Sequence, residues 1–433
     1  MRSVKVFHIH LIHYFYSPMK KWYIKYPLYL IAILVVLVGG FALFIQLRGI
    51  PSYPTQKIDL KVEVTPARVQ RGRKLVSILC AECHFDQKTN RLTGKRMIDM
   101  PETFGKAYSR NITQDPVYGI GGWTDGDIAF LLRTGIKKNG KYAPPWMVKL
   151  PNMADEDLYS IIAFLRSNDT LVQAAQVKDR ESEPSWFAKF LCFVAFKPFP
   201  YPDHAITAPD TSNHVAYGKY LATGAVQCFG CHSADFSKLD ELHPERSGGF
   251  MGGGTKTLDA SGRNIFTANI TMDKETGIGN WTEDQFVHAV RQGFNPDNRV
   301  LRYPMEPFPN LTDWEARDIY AYLQTVPVIH NQVDRTLGEM NVAGAGDGSR
   351  IYHKYGCYSC HGETGVGVCD LRGADRKYPA DSSLVAWIRD PSKTVPDSKM
   401  PTWNGIIQED EYPVLCQYVR ELGRKATDVA SAK

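Results

Sequence analysis

Six of the nine cysteines stand in three identical frames: "CAECH" (Cys80, Cys83, His84), "CFGCH" (Cys228, Cys231, His232) and "CYSCH" (Cys357, Cys360, His361). With this composition one such pentapeptide arises by chance in about one chain in two hundred, so three together carry a chemical meaning. Two thiols three positions apart can add across the two vinyl groups of haem, and the adjacent imidazole then reaches the iron as an axial ligand. Structural zinc would need a second Cys/His pair about 12–20 residues away, and none lies there. A thioredoxin-like C-x-x-C needs no following histidine and sits near a βαβ pattern that is absent from the chain. Three covalently bound haem c groups are therefore expected. Cys192, Cys369 and Cys416 are left over. Cys369 and Cys416 either form a disulfide, which an extracytoplasmic compartment permits, or stand as two unrelated buried thiols. Cys192, in "WFAKFLCFVAF", reads as a packed free thiol.

An internal repeat points to the sixth ligands. "NITQDPVYGIGGWTDGDIAFLLRTG" (111–135) matches "NITMDKETGIGNWTEDQFVHAVRQG" (269–293) at a constant offset of 158 residues, and the same offset carries 154–165 onto 312–323. In that register Met147 falls on Met305, whereas Met153 falls on Leu311. A position that alternates between Met and Leu behaves as core. A methionine held in both repeats can complete a haem site through its thioether sulfur. Met147 and Met305 are the expected ligands of the first two irons. Met400, in "DSKMPTWNG", is the only methionine after His361 and is the expected third. His353 and His288 would be the alternatives for bis-histidine ligation, but both read as ordinary helix residues. The first two haem motifs are offset by 148, so repeat two holds ten extra residues, for which the Gly-rich "GGFMGGGTK" (248–256) is the evident place. The "NIT" tripeptide reads as a loop packed against a haem edge.

The elements that must position these residues are helical. Each unit opens with a helical stretch ending at its motif, "ARVQRGRKLVSILC", "VAYGKYLATGAVQC" and "DGSRIYHKYGC". Each closes with an acid-capped amphipathic helix, at 155–166, 313–325 and 409–422. Alternating strand patterns are scarce. Modules this small bury little core alone, and a covalent haem would substitute for the missing apolar side chains.

The charge of +5 has one source. Residues 1–50 carry six Lys or Arg and no acid, which leaves 45 basic against 46 acidic groups elsewhere and no basic face for nucleic acid. Between Lys25 and Arg48 lie 22 uncharged residues, "YPLYLIAILVVLVGGFALFIQL". As a helix they reach roughly 33 Å, enough for a bilayer core of about 30 Å. Lys20, Lys21 and Lys25 just before it predict a cytoplasmic N-terminus. "FIQLRGIPSYP" offers no small-residue cleavage site, so an uncleaved anchor is expected rather than a signal peptide. Met19, before "KKWYIKY", has the look of a natural start, with residues 1–18 upstream of it. The expected organisation is a cytoplasmic segment 1–25, an anchor 26–47, haem modules at 66–172, 210–330 and 343–425, and a linker 173–209. The Trp/Phe-rich run in the linker reads as a packed brace between the first two modules, or else as a second contact with the membrane surface.

The units resemble the class I cytochromes c, with Gly72, Gly218 and Gly348 in the opening helices and Phe164, Tyr322 and Tyr418 in the closing ones. Residues 67–166 and 213–325 resemble more narrowly the cytochrome c subunit of membrane-bound alcohol and gluconate-type dehydrogenases. There a "NIT…D…GIG.W" loop and a "YP.M" ligand loop recur, and three haems sit on one chain. The third unit is similar to an ordinary small cytochrome c. The anchor is N-terminal here, and "PPWM" stands in repeat one where that subunit has "YP.M". The resemblance implies a crossed helix pair in each module and a dehydrogenase partner. The fold class expected is mainly α, one N-terminal transmembrane helix followed by three small class I cytochrome c-like domains.

His–Met ligation at all three irons leaves no open coordination position, which predicts outer-sphere electron transfer at relatively high potential rather than catalysis. No nucleophile elbow, P-loop or dinucleotide fingerprint is present. The function expected is a non-enzymatic relay in a respiratory or dehydrogenase-linked chain. It would sit on the periplasmic face of a bacterial cytoplasmic membrane, with a dehydrogenase, a quinol-oxidising complex or a terminal oxidase as redox partner. The alternatives are a di-haem-peroxidase-like enzyme, which would need one haem without its methionine, and a haem-bearing structural or sensor subunit.

Overall fold

The computed structural model describes residues 22–260, 262–334, 346–396 and 398–431, mostly as helix. The expected cytoplasmic segment 1–25, with the start at Met19, falls outside the described residues as far as residue 21. So does the opening of the third expected module at 343–345. The first helix, α1 (Trp22–Arg48), contains the stretch Lys25–Arg48, long and apolar enough to cross a membrane and almost wholly exposed. It is followed by α2 (Pro66–Leu79), α3 (Asp125–Thr134), α4 (Asp155–Leu165), α5 (Trp186–Val194) and α6 (His214–Tyr220). Then come α7 (Glu283–Gln292), α8 (Asp313–Leu323), α9 (Asp347–Lys354), α10 (Asp381–Arg389) and α11 (Glu411–Ser431). Strand is confined, among the described residues, to two short antiparallel ribbons, β1 (Gly105–Lys106) with β2 (Glu183–Pro184) and β3 (Lys256–Leu258) with β4 (Asn264–Phe266).

Local sequence explains the helix starts. Thr124, Thr282 and Thr312 each accept the backbone N–H three residues on, and Asp127, Gln285 and Glu315 reach back to the cap N–H. These reciprocal capping boxes satisfy orphan donors at the first turn. The opening helix of the second repeat departs from expectation: α6 stops at Tyr220 and continues as a π-helical turn, Leu221–Ala225, ahead of its motif.

Three helix pairs cross, α2 on α4, α6 on α8 and α9 on α11, and each crosses at a glycine. A Cβ on Gly72 would run into the Ser160 carbonyl and one on Gly218 into the Asp318 carbonyl, positions 158 residues apart. On Gly348 it would lie 2.5 Å from Tyr418 Cβ and 3.1 Å from the Val414 carbonyl oxygen. The opening helix therefore lies backbone to backbone against the closing one, which only a residue without a side chain permits.

One continuous hydrophobic core runs through the first two repeats, from Val62 to Val326. The third unit has its own, built from Ile351, Tyr352, Leu415 and Leu422, with Phe294 inserted from the second repeat. Between repeats one and two the core is bordered by an ion-pair network. Arg71 donates to Asp157 (2.8 Å) and to Glu315 (2.7 Å), Lys74 donates to Glu315 (2.7 Å), and Tyr220 donates to Asp157 (2.6 Å). Burial alone would push the Glu315 carboxyl up, but the Lys74 ammonium and the Thr312 N–H outweigh it and hold the group below the usual carboxylate range. The sign follows. A depressed folded pKa contributes stability above the unfolded value of about 4.3, and that contribution is lost as pH falls through the lower folded value. Glu315→Gln should cost about 2–3 kcal/mol near neutral pH, less than a fully buried pair because Arg71 and Lys74 keep 22% and 17% of their surface. Urea titrations from pH 3 to 7 should show that difference shrinking towards the acid end.

Among the described residues the linker meets the first repeat and α1. Its backbone and side chains satisfy groups of the first repeat and of α1. Asn111 Nδ2 donates to the Ala175 and Val177 carbonyls, Phe199 N donates to Thr134, and Asp155 exchanges two bonds with Ile206. The Trp186 indole donates to the Ala42 carbonyl in α1 (3.1 Å). The extra residues of repeat two sit elsewhere than expected. Gly94 N donates to the His84 carbonyl, and Gly253 N to that of His232. These partners are 10 residues apart in one repeat and 21 in the other, so the insertion precedes Gly253. The Gly-rich run itself is retained framework, since a Cβ on Gly94 or Gly253 would strike the backbone of Ser109 or Ala268. The inserted segment reaches back to the first repeat, where Asn152 Nδ2 donates to the Glu241 carbonyl (2.6 Å).

Candidate haem sites

Each Cys-x-x-Cys-His frame forms one short helical turn, Ala81–His84, Cys228–Cys231 and Tyr358–His361, so both thiols and the imidazole emerge from a single turn. The three histidines share one further feature. His84 Nδ1 donates to the Arg110 carbonyl (2.7 Å), His232 Nδ1 to the Ala268 carbonyl (2.8 Å) and His361 Nδ1 to the Cys369 carbonyl (2.8 Å). A carbonyl only accepts, so the proton is on Nδ1 and Nε2 keeps its lone pair. This fixes both tautomer and ring direction, as partners of metal-ligating histidines do. Burial, partly offset by that carbonyl bond, holds His84 and His361 below the usual histidine range, in the neutral ligating form.

The "NIT" repeat explains where these carbonyls come from. Asn111 Oδ1 accepts from Thr113 N (3.0 Å) and Oγ1 (2.7 Å), and Asn269 Oδ1 accepts from Thr271 N (2.9 Å) and Oγ1 (2.8 Å). This Asx turn pins the backbone so that the residue before the asparagine presents its carbonyl to the histidine. Sequence reading missed Arg110 and Ala268, although the repeat lay immediately beside them. The third unit has no such tripeptide and uses Cys369, whose thiol is free, as is that of Cys416. No disulfide joins them.

Met147 and Met305 occupy the same turn in their repeats: Met147 N donates to the Pro144 carbonyl (3.0 Å) and Met305 N to that of Arg302 (2.9 Å). Both are half-buried, as is Met400, whereas Met153 and Leu311 are 0% and 1% exposed. Two arginines missed from sequence hold this loop from behind. Arg133, fully buried, donates to the Leu150 (2.8 Å) and Met153 (2.6 Å) carbonyls and to Asp155. Arg291, 158 residues on, donates to the Leu311 and Pro309 carbonyls and to Asp313. Of the alternatives, His353 is committed to Glu363 (2.7 Å) and to the Ser349 carbonyl (2.7 Å), and His288 lies beside the Phe294 ring at 5.9 Å.

The first and third motifs meet at a loop of the second unit. A cleft of about 60 Å³ is lined by Glu82 and Cys83 of the first unit, Tyr303 of the second and Gly367 and Val368 of the third. Tyr303 N donates to Ser359 Oγ inside the third motif (3.3 Å), and Asp370 N to Gln87 Oε1 beside the first (3.2 Å). Glu306, next to Met305, pairs with Lys399, next to Met400, so the two methionine loops are joined by an ion pair. Burial would lower the Lys399 ammonium, but attraction to Glu306 and Glu82 raises it above the ordinary lysine value. Burial, with Glu306 adding to it, pushes the Glu82 carboxyl up to about 7. Burial, with Glu82 and Asp99 adding to it, pushes the Cys231 thiol up to about 11, which ties the second motif electrostatically to the first.

The donor set fits a covalent haem in each unit: paired thiols and a tautomer-fixed imidazole on one turn, with a half-buried thioether on a braced loop. Among the described residues no cluster of three or more His, Cys, Asp or Glu is arranged to hold a bare metal ion.

No family model matches the chain. It is 27% identical over 328 residues, 70% of its length, to the cytochrome c subunit of alcohol dehydrogenase (quinone) from Gluconacetobacter polyoxogenes, covering 67% of that protein. It is 26% identical to the fructose dehydrogenase cytochrome subunit of Gluconobacter japonicus, over 71% of this chain and 68% of that one. To the gluconate 2-dehydrogenase cytochrome c subunit of Pantoea cypripedii it is also 26% identical, over 69% and 70%.

Proposed function

We propose that this chain, a cytochrome c family member homologous to cytochrome c subunits of alcohol, fructose and gluconate dehydrogenases, is a membrane-anchored triheme cytochrome that relays electrons. In this reading residues 26–47 anchor it with the N-terminus inside, and three class I cytochrome c-like modules (66–172, 210–330, 343–425) stand on the periplasmic face. The thiols of Cys80 and Cys83, Cys228 and Cys231, and Cys357 and Cys360 attach the haems. His84 with Met147, His232 with Met305, and His361 with Met400 ligate the irons. Haem c bound in this way supplies reversible one-electron transfer at iron.

The observation that carries the reading is the threefold recurrence of a motif histidine bonded through Nδ1 to a backbone carbonyl at 2.7–2.8 Å. Protein groups do the rest. The carbonyls of Arg110, Ala268 and Cys369 orient the imidazoles, Arg133 and Arg291 brace the methionine loops, and apolar cores border the sites. Tyr303 of the second unit lies against the first and third motifs, an arrangement that suits transfer from one unit to the next. The relatives act within dehydrogenases, so a dehydrogenase subunit is the proposed electron donor.

The test is the spectrum and mass of the detergent-purified protein. Three covalent haems, all low-spin and indifferent to carbon monoxide, are expected. A high-spin haem that binds carbon monoxide or cyanide would replace the relay with a di-haem-peroxidase-like enzyme.

A further inference from the structure

Helix α5 keeps an apolar face partly exposed. Trp186, Phe187 and Val194 are 41%, 45% and 50% exposed, whereas Ala188 and Cys192 are 1% and 0%. At about 100° per residue, positions 186, 187, 190, 191 and 194 fall on one side of the helix and Ala188 and Cys192 on the other. The outer side, Trp186, Phe187, Phe190, Leu191 and Val194, holds no polar side chain except the indole N–H, which is already donated to Ala42.

One edge of this face packs on α1. Phe190 meets Phe41 (ring centroids 6.4 Å apart), Phe193 meets Phe44 (5.6 Å), and Lys189 donates to Gln46 (3.2 Å). Phe41 and Gln46 lie seven and two residues before Arg48, the end of the helix. At about 1.5 Å per residue, α5 sits roughly 3–10 Å along the axis from that end. An interfacial helix buries its apolar face to about that depth, 5–10 Å below the headgroups. Arg48 and Lys197 are exposed beside it, where cations meet phosphate.

We propose that α5 lies flat in the outer headgroup layer of the bilayer that α1 crosses, with Trp186, Phe187, Phe190, Leu191 and Val194 in lipid. This rests on reading α1 as a membrane anchor. The consequence is orientation. A single spanning helix leaves its cargo free to rotate about the exit point. A second contact fixes the first repeat against the membrane, because Phe187 packs on Phe104 and Ser185 N donates to the Phe104 carbonyl (3.0 Å).

The test uses the full-length protein in nanodiscs of phosphatidylcholine and phosphatidylglycerol. It is photolabelled with a lipid-soluble aryl diazirine, and labelled residues are located by mass spectrometry. Label in both 26–47 and the outer face of α5, sparing Ala188 and Cys192, is expected. Label in 26–47 alone would overturn the proposal while leaving the anchor intact, and would point to a protein partner on this face. Label in neither would overturn the anchor as well. Trp186→Ser/Phe187→Ser/Val194→Ser alters side chains that are 41%, 45% and 50% exposed, and the contacts it removes, to Ala42 and Phe104, lie outside the haem motifs. It should reduce the α5 label at least fivefold with the α1 label and haem content unchanged, and an undiminished α5 label would also overturn the proposal.

Discussion

Replacing Met147 with leucine is expected to lower the potential of one haem by on the order of 100 mV, within the ~0.8 V range that axial ligands span. The same substitution should create a site that binds carbon monoxide. Met153→Leu, six residues away, should do neither. The contrast comes from register and burial together. Met147 is half-buried in a turn whose backbone bond recurs at Met305, and the loop behind it is held by Arg133. Met153 is fully buried, and its counterpart Leu311 already shows what fits there. A Met–Leu exchange in such a position costs less than about 1.5 kcal/mol. Redox titration and carbon monoxide difference spectra of both variants decide it, and the reverse pattern would sink the ligand assignment.

Gly218→Ala should damage the protein far beyond the size of one methyl group. The new Cβ would penetrate the Asp318 carbonyl at the point where α6 crosses α8, and backbone on both sides leaves no side chain to give way. Overpacking of a core typically costs 1–3 kcal/mol, and a clash between two main chains belongs at or above about 3 kcal/mol. Because the first two repeats share one core, the loss should fall on both. Thermal unfolding and the yield of haem-loaded protein are the measurements. Gly346→Ala, at a position with open space around it and an ordinary φ of -64°, is the control for expression.

Much of this architecture could be read along the chain because its causes are local. Cysteine spacing and capping threonines followed by an acid or amide each sit within a few residues of their effect, whereas the crossing of the opening and closing helices was implied by the resemblance. The 158-residue repeat added the register of the methionines; it also aligns Arg133 with Arg291, whose role shows only in the fold. What could not be read was every pairing without a local signature. Asp370 meets Gln87 across 283 residues, Glu306 meets Lys399 across 93, and Tyr303 enters the third motif from the second repeat. The linker's contacts could not be read for the same reason: its hydrophobicity is plain, but the surface that covers it is set by where α1 ends. The insertion was misplaced because glycine is common in loops, whereas Gly253 is held by the close approach of Ala268.

The shared core of the first two repeats also bears on how such a chain is made. Its inner surface is complete only when Val326 is in place, 246 residues after Cys80. With the N-terminus held inside, as proposed, a chain emerging behind its anchor would hold its first motif on an open, half-built surface until most of it has crossed. Haem attachment needs access to Cys80 and Cys83, which are only partly exposed in the finished fold, and this delay provides it. The third unit, whose core is its own apart from Phe294 of the second repeat, closes last. Biogenesis would then proceed in two stages, a slow joint closure of the first pair and a separate, later docking of the third.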